Sequence, residues 1–265
     1  MNQQMFEQAC SKVIDKQRES FGIGTLSEKT VHAVIKNYLS PDLANQEIKV
    51  GQYYADIAYD DRIIEIQTRQ FNNLRKKLNL FLNLKPVTIV YPVAYTKWLR
   101  WINKETGEIS LPRKSPKQGT PYSIFPELYR IKEYLSHPNL TLHIILMDLE
   151  EYRFLDGWSL DKKKGSTKSD RIPIQLIDEI IIEHPKDYNK LIPTGLSSEF
   201  TSKDYQKASK LSQSHSGIAL NILYSVGVVN RVGKKGNAYL YFDTLPKEDQ
   251  PFFHNFSHHL PDDWL

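Results

Sequence analysis

The stretch that decides the fold is Tyr53-Tyr54-Ala55-Asp56-Ile57-Ala58-Tyr59, then Asp60-Asp61, then Arg62-Ile63-Ile64-Glu65-Ile66-Gln67-Thr68. Both runs read as β-strands, and the two aspartates between them suit a two-residue hairpin turn. Closing that turn pairs Tyr59 with Arg62, Ala58 with Ile63, Ile57 with Ile64, and Asp56 with Glu65. Directly opposed side chains in an antiparallel pair lie roughly 4.5–5.5 Å apart, and like charges there repel. A cation between Asp56 and Glu65 would remove the conflict. Alternation also places Gln67 on the face of Glu65, with Ile64 and Ile66 on the other. In outline this is a divalent-metal site. The competing reading is two solvated strand carboxylates.

Working outward, residues 5–19 and 26–39 carry helical apolar spacing, and a glycine turn at Gly22-Ile23-Gly24 separates them. Glu28 falls in the middle of the apolar stripe Val31, Ile35, Tyr38 and Leu39. Thr25-Leu26-Ser27-Glu28 also matches a helix capping box, which gives Glu28 a purely structural alternative. His32, one turn later, reads as a packing or surface residue. A strand is expected at 47–51, a helix at 71–84 with Arg75, Lys76 and Lys77 on its polar side, and a buried strand at 86–93. Further on, the pattern predicts a hairpin over 97–111, a basic loop at 113–119, a helix at 126–135, a strand at 140–149 and a basic loop at 162–168.

The order and spacing of these acids resemble the PD-(D/E)XK nuclease superfamily. There an acid on one strand is followed on the next by acid-X-lysine, often with a glutamate on the preceding helix. The matching positions are Asp56, Glu65-Ile66-Gln67 and Glu28, so the resemblance covers about residues 20–95. It implies an α/β fold, a restriction-endonuclease-like mixed sheet flanked by helices, with Glu28, Asp56, Glu65 and Gln67 as catalytic positions. It also implies Mg²⁺ or Mn²⁺ held by Asp56, Glu65 and the backbone carbonyl of Ile66. The departure is Gln67 where lysine is usual. Glutamine can orient a water but carries no charge for a developing phosphate anion. Arg69, Lys76 and Lys77 are the cations near enough in sequence to supply it.

The texture changes after Pro193-Thr194-Gly195. Between Thr201 and Phe242 there are six Lys/Arg (Lys203, Lys207, Lys210, Arg231, Lys234, Lys235) against one acid, Asp204. Helices are expected from Phe200 and from Ser212 to Ser225, then strands at 228–232 and 238–242. The pattern resembles a winged helix-turn-helix domain. Lys203, Ser214, His215, Ser216, Asn221, Arg231, Lys234 and Lys235 would then face nucleic acid, with Ala219, Leu220, Leu223 and Val226 packing inward. The expected organisation is a nuclease-like domain over 1–192, a small winged-helix domain over 197–245 and an acidic, aromatic tail over 246–265.

At 265 residues with one cysteine, Cys10, an internal disulfide or a cysteine-rich zinc module is excluded. No window approaches the roughly 18 apolar residues of a membrane span, and residues 1–16 lack an apolar signal core. A soluble, cytoplasmic protein is therefore expected. The functional expectation is a metal-dependent DNA endonuclease targeted by its winged helix, with a homodimer allowed for double-strand cutting. The alternatives are a catalytically inactive nuclease-like DNA-binding protein or transcriptional regulator, and an RNA-directed nuclease.

Overall fold

Residues 87–102 and 140–154 lie side by side as parallel strands at the middle of a mixed sheet, the second of them buried on both faces from Ile144 to Glu151. The computed structural model describes residues 2–21, 30–156 and 166–244. In chain order these give α1 (Gln3–Phe21), α2 (Thr30–Leu39), β1 (Gln46–Val50), β2 (Tyr53–Ala58), β3 (Ile63–Ile66) and α3 (Arg75–Phe81). Then come β4 (Val87–Ile102), β5 (Arg113–Lys114), α4 (Phe125–Leu128), β6 (Leu140–Phe154) and β7 (Thr167–Ile182). The last elements are β8 (Glu199–Thr201), α5 (Ser202–Ser209), α6 (Gln213–Ser225), β9 (Val229–Lys235) and β10 (Ala238–Asp243).

Among the described residues the main sheet has seven strands in the order β1-β2-β3-β4-β6-β7, with β5 on the far half of β4. The β3–β4 and β4–β6 pairs are parallel and the others antiparallel. Helices α1 and α2 cover one face: Phe6, Ala9, Val34 and Ile35 pack on Ile57, Ile64, Val90 and Met147. On the other face Phe71, Leu78, Phe81, Phe125 and Leu128 pack on Ile63, Val87, Ile89 and Ile144. That second cluster runs on without a break into Phe200, Tyr205, Leu220 and Leu223, so α5 and α6 share the core of the sheet. Each such enclosed side chain contributes about 1.5–3 kcal/mol.

Strand β4 is longer than the apolar run predicted, because it includes the first arm of the expected 97–111 hairpin. The return arm bridges Ile109 to Ile102 and continues into β5, which pairs Arg113 with Leu99 and Lys114 with Trp98, so the expected basic loop begins as strand. The expected helix at 126–135 is mostly tight 3-10 turns around the single α-turn α4. Strand β7 has no counterpart in the sequence reading, and its first residues, Thr167 and Lys168, belong to what was expected as a loop. Pro92 sits inside β4 without penalty. Strand β3 ends at Ile66, paired with Val90, so two residues later the proline has lost the neighbour on that side. Gly119 is needed for close approach: a Cβ there would meet the Ala94 carbonyl oxygen at 2.1 Å. A short basic segment is thereby laid against β4.

The outer halves of β6 and β7 are held by a buried carboxylate. Glu151 Oε1 accepts from Arg153 Nε at 2.8 Å, and its Oε2 accepts from Arg171 Nε at 3.0 Å. Burial pushes its carboxyl up, but Arg153 and Arg171 outweigh burial and hold it below its ordinary value of 4.5. A depressed folded-state pKa gives stability that is present above 4.5 and is lost as pH falls through the lower value. Glu151→Gln is therefore expected to cost about 2 kcal/mol at pH 7, less than a fully enclosed pair because both guanidiniums reach solvent. Denaturant titrations should show that cost shrinking towards pH 3; an equal cost at both pH values would contradict it.

Candidate metal and phosphate cleft

The hairpin closes at the expected turn. Tyr59 N–H donates to Arg62 O at 2.9 Å, and Ala58–Ile63 and Ile57–Ile64 are paired. The backbone ladder stops there. At the next position the Asp56 side chain takes over, its Oδ2 accepting the Ile66 N–H at 2.7 Å. Asp56 and Glu65 both line a cleft of about 650 Å³ between α2 and α3. They are not solvated strand carboxylates: Glu65 is 2% exposed.

A lysine and a histidine frame the pair. Lys77, from α3, sets its Nζ 2.8 and 3.1 Å from the two Glu65 oxygens. His32, from α2, lies with Nε2 3.3 Å from Asp56 Oδ2. Burial first, then the charge of Asp56, pushes the Glu65 carboxyl up to about 7 against the opposing pull of Lys77. Asp56 goes the other way: burial raises it, but the hydrogen bond and charge of His32 and the Ile66 N–H bring it below its ordinary value. Two adjacent carboxyls driven apart in this way are a recurring mark of working sites.

The backbone carries a second mark. Among the described residues three non-glycines have positive φ, and two of them, Glu47 (φ 53°) and Gln70 (φ 61°), line this cleft. A left-handed conformation costs an ordinary residue about 1–2 kcal/mol, and such outliers gather where geometry matters more than stability.

The other sequence-derived positions distribute as follows. Gln67 lines the cleft, but its amide donates to the Arg69 carbonyl at 2.5 Å. Ile66 lines it too. Glu28 and Lys162–Gly165 lie outside the described residues, as does the 246–265 tail. Of the three cations expected on the polar side of the 71–84 helix, Lys77 turns inward onto Glu65. His32 was read as packing or surface, since nothing in one helix tells which strand end it will meet.

In the C-terminal part, Lys203, Ser214, His215, Lys234 and Lys235 are exposed. Asp204, the single acid between Thr201 and Phe242, is the capping-box residue of α5: its Oδ2 accepts the Thr201 N–H at 2.8 Å. Ser216 is buried, against expectation, because its Oγ donates to the Ser212 carbonyl one turn back. Asn221 faces the body of the molecule, its side-chain oxygen accepting from Lys132 Nζ at 2.8 Å. Arg231 stacks between Tyr224 and Tyr239, 4.5 and 4.3 Å from their ring centres.

A stability test follows from the Glu65 shift. A carboxyl raised from 4.5 to about 7 in the folded state weighs against folding once pH passes through that range. In the presence of EDTA, Glu65→Gln should match the unsubstituted protein in thermal midpoint at pH 5 and melt several degrees higher at pH 8. A lower midpoint at pH 8 would show that ionised Glu65 supports the fold.

Comparison with known proteins places this cleft in a family. An uncharacterized protein of Treponema pallidum (strain Nichols) is 27% identical over 235 residues, covering 86% of this chain and 90% of that protein. No solved structure matches the chain. The model of a family described as a domain of unknown function (DUF8091) matches residues 29–183, which carry α2 through β7 and both cleft carboxylates. The chain belongs to that family.

Proposed function

We propose that this protein is a metal-dependent DNA endonuclease whose PD-(D/E)XK-like site is built on Asp56 and Glu65, with Lys77 in place of the lysine absent at Gln67. The observation that carries the reading is the meeting of the two carboxylates in one cleft with the Lys77 ammonium on Glu65. A restriction-endonuclease-like arrangement is supported by the mixed sheet with helices on both faces. A winged helix is supported by the succession β8, α5, α6 and the β9–β10 hairpin, with three strands in the order β8-β10-β9.

The donor set fits a hard divalent ion. Among the described residues no group of three or more His, Cys, Asp or Glu is placed to hold a metal. Mg²⁺ and Mn²⁺ are commonly held by one or two carboxylates, with waters completing the shell. Asp56, Glu65 and the Ile66 carbonyl would provide the protein ligands. When bound, the ion supplies a water of lowered pKa and neutralises phosphate charge. The chain's own residues do the rest. The Ile66 N–H and His32 both meet Asp56 Oδ2 and fix the orientation of the carboxylate. The Lys77 ammonium balances Glu65 and is placed to meet charge developing on a phosphate oxygen. Gln67, held by the Arg69 carbonyl, orients the local chain. The wing residues Arg231, Lys234 and Lys235 would contact duplex phosphates.

A second reading is a nuclease-like DNA-binding protein without activity. It is favoured by the engagement of the Gln67 amide with Arg69 rather than with the carboxylates. Incubation with supercoiled plasmid and Mg²⁺ or Mn²⁺ separates the two. Asp56→Ala and Glu65→Ala should each abolish cutting, Lys77→Ala should slow it about 10²-fold, and Gln67→Ala should slow it far less. Shifted but intact plasmid with either metal would sink the enzymatic reading and leave the binding protein. In the same assay Arg231→Ala should reduce the salt dependence of duplex binding by about 0.9 in log–log slope.

A further inference from the structure

The carboxylate cleft does not end at Gln67. A second cleft, of about 670 Å³, adjoins it and shares Val31, Thr68 and Arg69 in its walls. It opens where β3 stops, in the stretch of β4 between Val90 and the pairing of Trp98 and Leu99 with β5, where that side of β4 has no strand beside it. Its floor is the uncovered edge of β4, with half-buried Ala94 on the α1–α2 face and half-buried Tyr91 on the other face, edge-on to Phe71, and Pro92 between them in the chain. Its far wall is cationic, with Lys168 and Arg171. Arg171 is held through Nε by the buried Glu151, which also holds Arg153.

We propose that this second cleft is the path of a single-stranded nucleic-acid segment leading into the carboxylate site. An apolar floor beside a cationic wall matches a single strand, which offers unstacked base faces and phosphates together. A duplex keeps its base faces stacked inside, and could use only the cations. Bases would lie on Tyr91 and Pro92, with phosphates along Arg69, Lys168 and Arg171. The inference rests on the carboxylate cleft being the place of hydrolysis, and it adds the form of the substrate there: a locally opened or single strand, even where the wing docks on duplex.

The test is fluorescence anisotropy of the full chain in EDTA with an oligothymidylate of about 12 nucleotides, within single-strand site sizes, against a duplex of equal length. Arg69→Glu/Lys168→Glu should weaken oligothymidylate binding at least tenfold and lower its salt slope by about 0.7 per lost phosphate contact. Duplex affinity, carried by the wing, should change less than twofold. Tyr91→Ala, as a second variant, should weaken the single strand with its salt slope unchanged; circular dichroism checks its fold. Unaltered oligothymidylate affinity in the double variant, or an equal loss for both probes, would overturn the proposal. If plasmid is cut while the double variant binds oligothymidylate normally, the strand path fails and the nuclease reading stands. If the predicted losses appear but no metal supports cutting, the strand path stands and the nuclease reading fails.

Discussion

The hydrogen bond from the Ile66 N–H to Asp56 Oδ2 is the interaction on which the site depends. It sits one step beyond the last paired residues of the β2–β3 hairpin, and it commits a carboxylate to the place a backbone carbonyl would otherwise fill. Slipping the hairpin by one residue would move every side chain of β3 to the opposite face. Ile64 and Ile66 would then leave the α1–α2 cluster, and Glu65 would enter it without a counter-charge. The apolar packing of Ile57, Ile64 and Ile66 therefore enforces the same register that brings Asp56 and Glu65 together. Core stability and site geometry are one constraint.

The shape of the surrounding clefts follows from a strand that is too short. Strand β3 has four residues beside a β4 of sixteen. Pro92 offers no N–H to a strand on that side of β4, where pairing resumes only with β5 at Trp98 and Leu99, and Gln70 in a left-handed conformation turns the chain away into α3. The sheet is left notched. The notch exposes part of β4 and lets α3 bring Lys77 over Glu65. The fold tolerates an elevated Glu65 pKa and two positive-φ residues in one small region because β4, β6 and their apolar neighbours enclose the rest so completely.

The hairpin, its turn and the juxtaposition of Asp56 with Glu65 were legible in the sequence, because period-two alternation and a two-residue turn determine register locally. Helices α5 and α6 and the strands after them were legible for the same reason, as capping residues and apolar spacing mark each end. What escaped depends on contacts distant in the chain. Strand β7 reads as mixed polar and apolar (Arg171-Ile172-Pro173-Ile174-Gln175) and becomes a strand only by lying beside β6. His32 and Lys77 each face the cleft because their helices dock on opposite faces of one sheet, which no single helical pattern reports. Ser216 and Asn221 were misplaced because α6 is packed on two sides, against its own hairpin and against the segment around Lys132.

The central claim is that a turn at Asp60-Asp61 and a four-residue strand bring two carboxylates together as the holder of one divalent ion. The most direct measurement is Mn²⁺ binding followed by electron paramagnetic resonance and calorimetry on the unsubstituted chain, Asp56→Asn and Glu65→Gln. One ion per chain, lost in both variants while their folds persist, is the predicted result. An ion bound equally well by all three proteins, or by none, would contradict the account.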